Sequence, residues 1–340
     1  MPVSIKDIAR LAGVSHSTVS RALHNSPLIP AQTTLRIQKI AQEAGYSASA
    51  VARGLVTRRT DAVGVVVTSI ADPFNGEIVA GIEDVANELG YSVILATSQA
   101  DPEREMSVVR SFRERRVDGV LVASSRVGAL YVPFLDELEI PVVLINNQHP
   151  SRFVDSVSID NTDGGCQATR HLIELGHTAI AYLGDEQGLQ SDVERYRGYK
   201  KALAASGLRL RKDLITRGNG KPDGAFVAAD ALLAGSNRPS AVFCYNDMSA
   251  LGVLQAAAKH RLSVPQDLSI VGFDDIFFAE RLEPPLTTIH QPKREIGRSA
   301  MELLVALLKG EKAESVTTIR GQLIIRGSTA KFRKRPHQAI

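Results

Sequence analysis

The sequence lacks the marks of a membrane or exported protein. No run of about 18 apolar residues appears among its 340 residues, and no charged-then-apolar leader opens the chain. It has only two cysteines, Cys166 and Cys244, which lie far apart in apolar contexts, and this pattern favours buried thiols over a disulfide. With 44% hydrophobic and 23% charged residues, the composition predicts a soluble globular protein that can bury sizeable cores, and the absence of an apolar run and a leader predicts a cytoplasmic location.

Motifs for catalysis and metal binding are also missing. The chain contains neither a G-x-S-x-G nor a P-loop pattern. Its eight histidines are scattered, and the spacing of His171 and His177 is a poor geometry for a metal. We therefore expect a protein that is not an enzyme and that holds no metal or cofactor.

The first 25 residues predict two short helices joined by a tight turn. Ile5, Ile8 and Leu11 recur at helical spacing, Gly13 ends the first helix, and Ser15 can cap the second. This arrangement is typical of a helix-turn-helix.

The second of these helices turns short polar side chains outward. His16, Ser17, Ser20 and Arg21 supply hydrogen-bond donors and acceptors with little apolar surface, which suits base edges in the major groove. A small helical hairpin that uses its Ser and Thr residues only as caps would have a similar composition. The helix-turn-helix interpretation predicts a face that contacts DNA bases, whereas the helical-hairpin interpretation does not.

Charge separates the start of the chain from the remainder. Residues 1–60 hold eight Lys or Arg against two acidic residues, a charge of +6, and this leaves −3 for the remainder of a chain whose net charge is +3. A basic module that carries a helix-turn-helix is typical of phosphate-backbone binding.

Two further segments complete the basic module. Residues 31–44 predict a third helix with Leu35 and Ile37 on its apolar face, and its start at 32–34 would either meet a phosphate or form an ordinary cap. Residues 47–60 are short and rich in small residues, as expected of a hinge that becomes helical on DNA with Leu55 as a minor-groove wedge. A plain flexible linker is the alternative.

From residue 62 onward, apolar strands alternate with amphipathic helices. Continuous apolar runs of this kind suit parallel strands that are buried on both faces. The pattern restarts once, so it predicts two doubly wound α/β lobes with a ligand cleft where the carboxyl ends of the strands meet. The predicted elements are strands 62–68, 91–96, 117–123, 141–145, 179–183, 241–245 and 268–273, and helices 191–206 and 247–259.

Polar side chains follow these strands, at the edge where the cleft would lie. Carboxylates, amides, one Arg and one aromatic ring together predict a site for a small polyhydroxyl compound. For Asp160, Asn161 and Asp275 the alternative is that they only cap the helices that follow. The full set is Thr68, Asp72, Phe74, Asn146, Asp160, Asn161, Arg195, Asn246, Asp247, Asp274 and Asp275.

Nearly the whole chain resembles the lactose repressor (LacI/GalR) family of transcription regulators. The resemblance is carried by a collinear series of motifs and not by any one of them. These are IKDIARLAGVSHSTVSRAL from residue 5, AVARGL at 50–55, DPF at 72–74, LIELGH at 172–177, RYRG at 195–198, NDMSALG at 246–252, VGFDD at 271–275 and PLTTI at 285–289.

The resemblance implies a particular domain organisation. A helix-turn-helix head would span 1–46, a hinge 47–60, and a periplasmic-binding-protein-like effector-binding and dimerisation body 61–330. A basic, disordered tail would follow over 331–340. The N-lobe of the body would comprise about 61–160 and 291–321, and the C-lobe about 162–289 and 323–330, with crossings near 161, 290 and 322.

It also implies partners and roles. A homodimer, or a tetramer, would repress transcription in the bacterial cytoplasm by binding a palindromic operator, under the control of a sugar, sugar acid or sugar phosphate. By position, the DNA-binding residues would be Ser4, Ser15, His16, Ser17, Thr18, Ser20, Arg21, His24, Thr33, Ala52 and Leu55. The effector-binding residues would be Thr68, Phe74, Asn146, Arg195, Asn246, Asp274 and Gln291.

The chain departs from the family pattern at several of these positions. His24 stands where Asn is common, and Thr34 stands where Arg is common, which would remove a phosphate contact. Asn146 replaces a residue that is often acidic. The alternative function is a cytoplasmic sugar-binding or sugar-modifying protein whose basic head has another role.

Overall fold

The computed structural model describes residues 3–23, 25–46, 59–125, 127, 140–148, 155–235, 237–312 and 316–333. The chain divides into two compact units, Met1–Asp61 and Ala62–Ile340. Three residues expected to contact DNA, His24, Ala52 and Leu55, lie outside the described residues, as does most of the expected hinge. Among the described helices, none is long and apolar enough to cross a membrane.

The described part of the first unit is helical. Ser4 caps its first helix through a reciprocal pair of hydrogen bonds with Asp7, and Gly13 ends that helix in the left-handed conformation, with φ 64°. The short Gly13–Ser15 connection leads directly into the second helix. The helices are α1 (Ile5–Ala12), α2 (His16–Leu23) and α3 (Ala31–Glu43).

One small apolar cluster joins these three helices, and it corrects two expectations. Ile8, Val19 and Ile37 are fully buried in it. Leu11 and Leu35, which the helical spacing placed inside, are 64% and 66% exposed. On α3 the buried positions are those three and four apart that begin at Thr34, so Leu35 points about 100° away from the core. Because Thr34 is buried, this departure from the family pattern serves packing.

Twelve described strands build the second unit, and they form two six-stranded sheets. The first sheet has the order β11-β5-β4-β3-β1-β2 and is parallel throughout. The second has the order β12-β10-β9-β8-β6-β7 and is parallel except for the β10–β12 pair. The strands are β1 (Ala62–Val67), β2 (Ser92–Thr97), β3 (Gly119–Ala123), β4 (Val142–Ile145), β5 (Ser156–Ile159), β6 (Ile180–Asp185), β7 (Ile215–Gly218), β8 (Ala241–Cys244), β9 (Ser269–Asp274), β10 (Thr287–His290), β11 (Val316–Ile319) and β12 (Gln322–Ile324).

Helices cover both sheets, as expected of doubly wound lobes. Their apolar faces form the main cores of the two lobes, with Ile276 of the second lobe packed into the core of the first. Both cysteines are free and buried in the second lobe. The helices are α4 (Pro73–Leu89), α5 (Pro102–Glu114), α6 (Asn161–Glu174), α7 (Gln190–Ala205), α8 (Pro222–Ala234), α9 (Asp247–Lys259) and α10 (Lys293–Lys309). The α/β fold class predicted from the sequence is confirmed.

Two further expectations fail in detail. The apolar run at 91–96 suggested a strand buried on both faces, but β2 lies at the edge of its sheet and is largely exposed. The tail was expected to be disordered from residue 331. Instead the Phe332 N–H donates to the Leu175 carbonyl, and its ring packs against His177 at a centroid distance of 5.6 Å. The start of this segment is therefore packed against the body through the Phe332 ring.

The chain passes between the two sheets after β5, after β10 and after β11. The second passage leads into α10, which packs along α4 in the first lobe. A Cβ at Gly81 would lie 2.1 Å from the carbonyl oxygen of Arg294, and one at Gly297 would lie 2.1 Å from that of Ile78. The two helix backbones are therefore in direct contact.

Candidate nucleic-acid interface and ligand cleft

The start of α2 is fixed by the hydroxyl group of Ser15. Its Oγ accepts a hydrogen bond from the Thr18 N–H at 3.2 Å and lies 2.8 Å from the Ser17 Oγ and 2.9 Å from the Thr18 Oγ1. Such a cap satisfies a backbone donor that a short helix would otherwise leave open. Three of the hydroxyl groups expected at DNA thus form one connected cluster at the helix start.

The solvent-facing side of α2 carries the predicted recognition residues. His16, Ser17 and Arg21 are exposed, whereas Thr18 and Ser20 are half-buried. A guanidinium, an imidazole and a hydroxyl on one short helix can hydrogen-bond to base edges or to phosphates.

Two other residues expected at DNA are described by the structure. The Ser4 hydroxyl donates to the Asp7 Oδ2 at 2.6 Å, so it serves its own helix. Thr33 is half-buried in the first turn of α3, where no described side chain accepts a hydrogen bond from the helix backbone. This helix start therefore has no side-chain cap among the described residues, and its contact with a phosphate stays a prediction.

A cleft of about 840 Å³ lies at the carboxyl ends of both sheets. Three residues predicted at the ligand site, Thr68 and Asp72 from the first lobe and Asn246 from the second, line it. The remaining walls carry hydroxyl, amide and carboxylate groups beside apolar surface from residues such as Leu189 and Met248. They comprise Ser69, Ala71, Gln99, Ala100, Ser124, Gln148, Asp185, Leu189, Asn219, Gly220, Lys221, Pro222, Asp223, Tyr245 and Met248.

Arg195 is enclosed beneath this cleft, with 4% of its surface exposed. Its guanidinium donates to the Asn161 Oδ1 at 2.9 Å and to the Tyr245 carbonyl at 2.6 Å, and it lies 3.6 Å from the Asp274 carboxylate. It also stacks 3.7 Å from the centre of the Phe273 ring. Its hydrogen-bonding directions are therefore taken up largely by the protein.

Asp274 and Gln291 join Arg195 in one buried cluster. The Gln291 Nε2 donates to the Asp274 Oδ1 at 2.6 Å, while the Gln291 Oε1 is buried and has no partner among the described residues. Burial raises the pKa of Asp274 to about 6, Arg195 opposes this rise, and the Asp72 carboxylate of the other lobe adds to it.

The other two predicted ligand residues serve the first lobe. Phe74 packs in its apolar core and is not among the residues that line the cleft. The Asn146 Oδ1 accepts from the Ile159 N–H at 3.2 Å, and its backbone is left-handed, with φ 48°. Tyr245, at the end of β8, supplies the aromatic ring in the cleft wall that was expected from Phe74.

Several capping alternatives are also resolved. The Asp160 side chain accepts from the Asp163 N–H, so it is a helix cap. Asn161 instead accepts from Arg195, and the Asp275 carboxylate binds His290 at 2.9 Å and Arg326 at 2.7 Å. Asn246 combines a cap with a contact at the site. Its side chain caps α9, and its Nδ2 donates to the Gly220 carbonyl at 3.1 Å.

A bridge across the cleft was not predicted. The Gln148 Oε1, which follows β4 in the first lobe, accepts from the Ser191 N–H at 3.2 Å and from its hydroxyl at 3.1 Å. The Ser191 Oγ lies 2.9 Å from the Tyr245 hydroxyl in the second lobe. The position of Gln148 just after an apolar strand was the available signal, but strand-end position alone does not identify a partner in another lobe.

Comparison with known proteins agrees with this architecture. Residues 4–49 match the family described as bacterial regulatory proteins, lacI family, and residues 169–329 match a periplasmic binding protein-like domain. The HTH-type transcriptional repressor PurR of Vibrio campbellii is 37% identical over 331 residues, which are 97% of this chain and 99% of the relative.

Solved structures resemble the chain over the same extent. The transcriptional regulator CelR in complex with cellobiose is 33% identical, has a TM-score of 0.74, and is matched over 96% of this chain and 99% of that one. The lac repressor dimer bound to operator and the anti-inducer ONPF is 27% identical, has a TM-score of 0.89, and is matched over 97% and 100%.

A helix-turn-helix unit joined to a two-lobed body with a ligand cleft defines a ligand-responsive transcription regulator. The chain belongs to the lacI family of bacterial regulatory proteins. It is a DNA-binding repressor that is regulated by a small-molecule effector.

Proposed function

We propose that the repressor acts as a homodimer on a palindromic operator and that His16, Ser17 and Arg21 read its bases. The observation that carries this proposal is the exposed polar face of α2 in a segment, residues 1–60, with a charge of +6. The lac repressor dimer bound to operator, which matches nearly the full chain, supports it. Because the DNA of a bacterium lies in its cytoplasm, we place the protein there.

The domain limits form part of the proposal. We assign residues 1–46 to the head, 47–60 to the hinge and 61–330 to the body. The division of the chain between Asp61 and Ala62 supports the limit at residue 60.

We further propose that the effector is a neutral sugar. Three carboxylates, Asp72, Asp185 and Asp223, line the cleft against one cation, Lys221, and this imbalance disfavours an anionic ligand. The Arg195 charge, which could have bound an acidic sugar or a phosphate, faces Asp274 instead. Hydroxyl and amide groups on both walls suit a polyhydroxyl compound, and similar structures hold cellobiose or ribose.

Operator recognition can be tested by selection from a palindromic DNA library, followed by measurement of affinity against salt concentration. We expect the selected operator to bind with a steep loss of affinity as salt rises, because phosphate contacts release counterions. Arg21→Ala should cost about 5- to 150-fold, the range of about 1–3 kcal/mol for a base contact. Lys39→Ala on α3 removes the same charge from an exposed position and should cost much less. Equal losses would contradict base reading by α2.

Effector chemistry can be tested by thermal shift of the full chain. We expect cellobiose, D-ribose or another neutral sugar to raise the melting temperature, since a ligand at about 100 times its Kd stabilises the folded state by about 2.7 kcal/mol. Gluconate, glucose 6-phosphate and hypoxanthine serve as acidic, phosphorylated and purine probes. A shift with only one of these three would contradict the proposed neutral sugar.

A further inference from the structure

The ammonium group of Lys293 is enclosed where the chain enters α10, and only 1% of the residue is exposed. Its Nζ donates to the carbonyl oxygens of Asp274 at 2.8 Å and Asp275 at 2.7 Å, and it lies 3.3 Å from the Glu77 Oε1. An ammonium has three donors, and these three acceptors match them. A buried charge that loses such partners is strongly disfavoured, so Lys293 must follow the groups that it binds.

The two carbonyl oxygens belong to an unusual turn at the carboxyl end of β9. Asp274 has φ 114° and Asp275 has φ 52°, so two consecutive non-glycine residues adopt positive φ. The Asp274 carboxylate contacts Gln291 and Arg195 beneath the cleft, and the Asp275 carboxylate contacts His290 and Arg326. The 274–275 turn therefore contacts the cluster beneath the cleft through the Asp274 side chain, and it contacts Lys293 through its two carbonyl oxygens.

On its other side, Lys293 is joined to the first lobe. Glu77 belongs to α4, and Lys293 is the first residue of α10. These two helices touch backbone to backbone at Gly81 and Gly297, and an Arg294–Asp84 ion pair at 2.6 Å links them on the surface. A displacement of Lys293 would thus act on a closely packed helix pair.

We propose that Lys293 is a positioning residue that couples the 274–275 turn to α4, so that a change at the Asp274 carboxylate alters the first lobe. The inference rests on the proposed function in one respect, that a sugar bound in the cleft acts on the buried cluster of Asp274, Gln291 and Arg195 beneath it. Lys293 itself need not touch the effector. It converts a change in the second lobe into a change in the lobe that follows the DNA-binding head along the chain.

Amide hydrogen exchange of the full chain, followed by mass spectrometry of peptides from α4, tests this coupling without DNA or sugar. The four proteins are the natural chain, Asp274→Asn, Lys293→Met and the double variant. We expect Asp274→Asn to raise exchange in α4 by about five-fold or more, the lower end of ordinary coupling between sites. In the Lys293→Met background, the same substitution should leave α4 exchange unchanged.

Non-additivity separates coupling from mere structural support, because loss of support would raise exchange equally in both backgrounds. An Asp274→Asn effect of the same size with and without Lys293, or no effect in the natural chain, would overturn the proposal. Arg294→Met is the matched control. It removes the neighbouring contact between α10 and α4 but does not touch the turn, so the Asp274→Asn response should persist.

Glu77→Gln keeps the test decisive if Lys293→Met fails to fold. Glu77 is half-exposed, and this variant leaves both carbonyl contacts of Lys293 in place. It should weaken the Asp274→Asn response of α4, and an undiminished response would count against Lys293. Failure here would leave operator binding untouched, whereas failure to bind any operator would overturn the proposed DNA target and not this coupling.

Discussion

At the scale of single residues, the buried carboxylates beneath the cleft are unusual because they favour the protonated form. Burial raises the pKa of Asp274 to about 6. Asp247 is also buried, and burial followed by repulsion from Asp274 raises its pKa well above the ordinary value. At a pH between the unfolded and the folded pKa, these carboxylates are protonated in the folded protein and ionised in the unfolded chain.

This imbalance predicts a specific pH dependence of stability. Between an unfolded pKa of 3.8 and a folded pKa of about 6, the native Asp274 binds more protons than the unfolded residue. Its contribution to stability therefore falls as the pH rises through this interval. We expect the unfolding free energy of Asp274→Asn, relative to the natural chain, to increase from about pH 4 to about pH 6 and then to level off.

Thermal melting at several pH values measures this difference. Asp213→Asn is the control, because the hydrogen bond from Arg211 lowers the pKa of the exposed Asp213 and moves its titration below this interval. The difference in stability between Asp213→Asn and the natural chain should stay constant from about pH 4 to about pH 6. A stability difference that is also constant with pH for Asp274→Asn would contradict the raised pKa of Asp274.

At the scale of elements, the contact between α4 and α10 depends on glycine. A Cβ at Gly297 would lie 2.1 Å from the Ile78 carbonyl oxygen, so Gly297→Ala must push the helices apart. We expect a loss of about 1–3 kcal/mol in unfolding free energy, measured by denaturant melting of the full chain.

Gly76 offers an internal comparison on the same α4 helix. A Cβ there would meet no described atom within 4 Å. Because alanine favours a helix over glycine, Gly76→Ala should stabilise the protein by up to about 1 kcal/mol. Stabilisation at both positions would show that helix propensity, and not the close approach, governs Gly297.

The strongly apolar elements were predictable from sequence, and the short polar ones were not. Runs such as the one that forms β1 carry their own signal, whereas β7, β11 and β12 are three or four residues long and contain polar side chains. Periodicity in so few residues is too weak to separate strand from loop. These strands form because each sheet offers them a partner, which is a property of the tertiary structure.

The candidate site was predictable in position but not in contacts. Thr68 and Asn246 lie at strand ends and line the cleft, as strand order implies. Sequence could not show that Arg195 faces Asp274, or that Gln148 bridges to Ser191, because both pairs join segments distant in the chain.

At the scale of the whole molecule, the DNA-binding and ligand-binding parts have separate cores. The core of Met1–Asp61 contains Ile8, Val19 and Ile37, and the lobes of Ala62–Ile340 have their own larger cores. The net charge divides in the same way, with +6 in residues 1–60 and −3 in the remainder. Units of this kind can in principle fold alone.

Deletion of residues 1–60 is therefore expected to separate the two activities. The remaining body keeps its sheets, the cleft and the bridge from Gln148 to Ser191, so it should melt cooperatively. It should also keep the thermal shift given by whichever sugar stabilises the full chain. Operator binding should vanish, because the exposed face of α2 and the basic charge are both removed. Operator binding that survives the deletion would contradict DNA recognition by the head and would favour a protein whose head has another role.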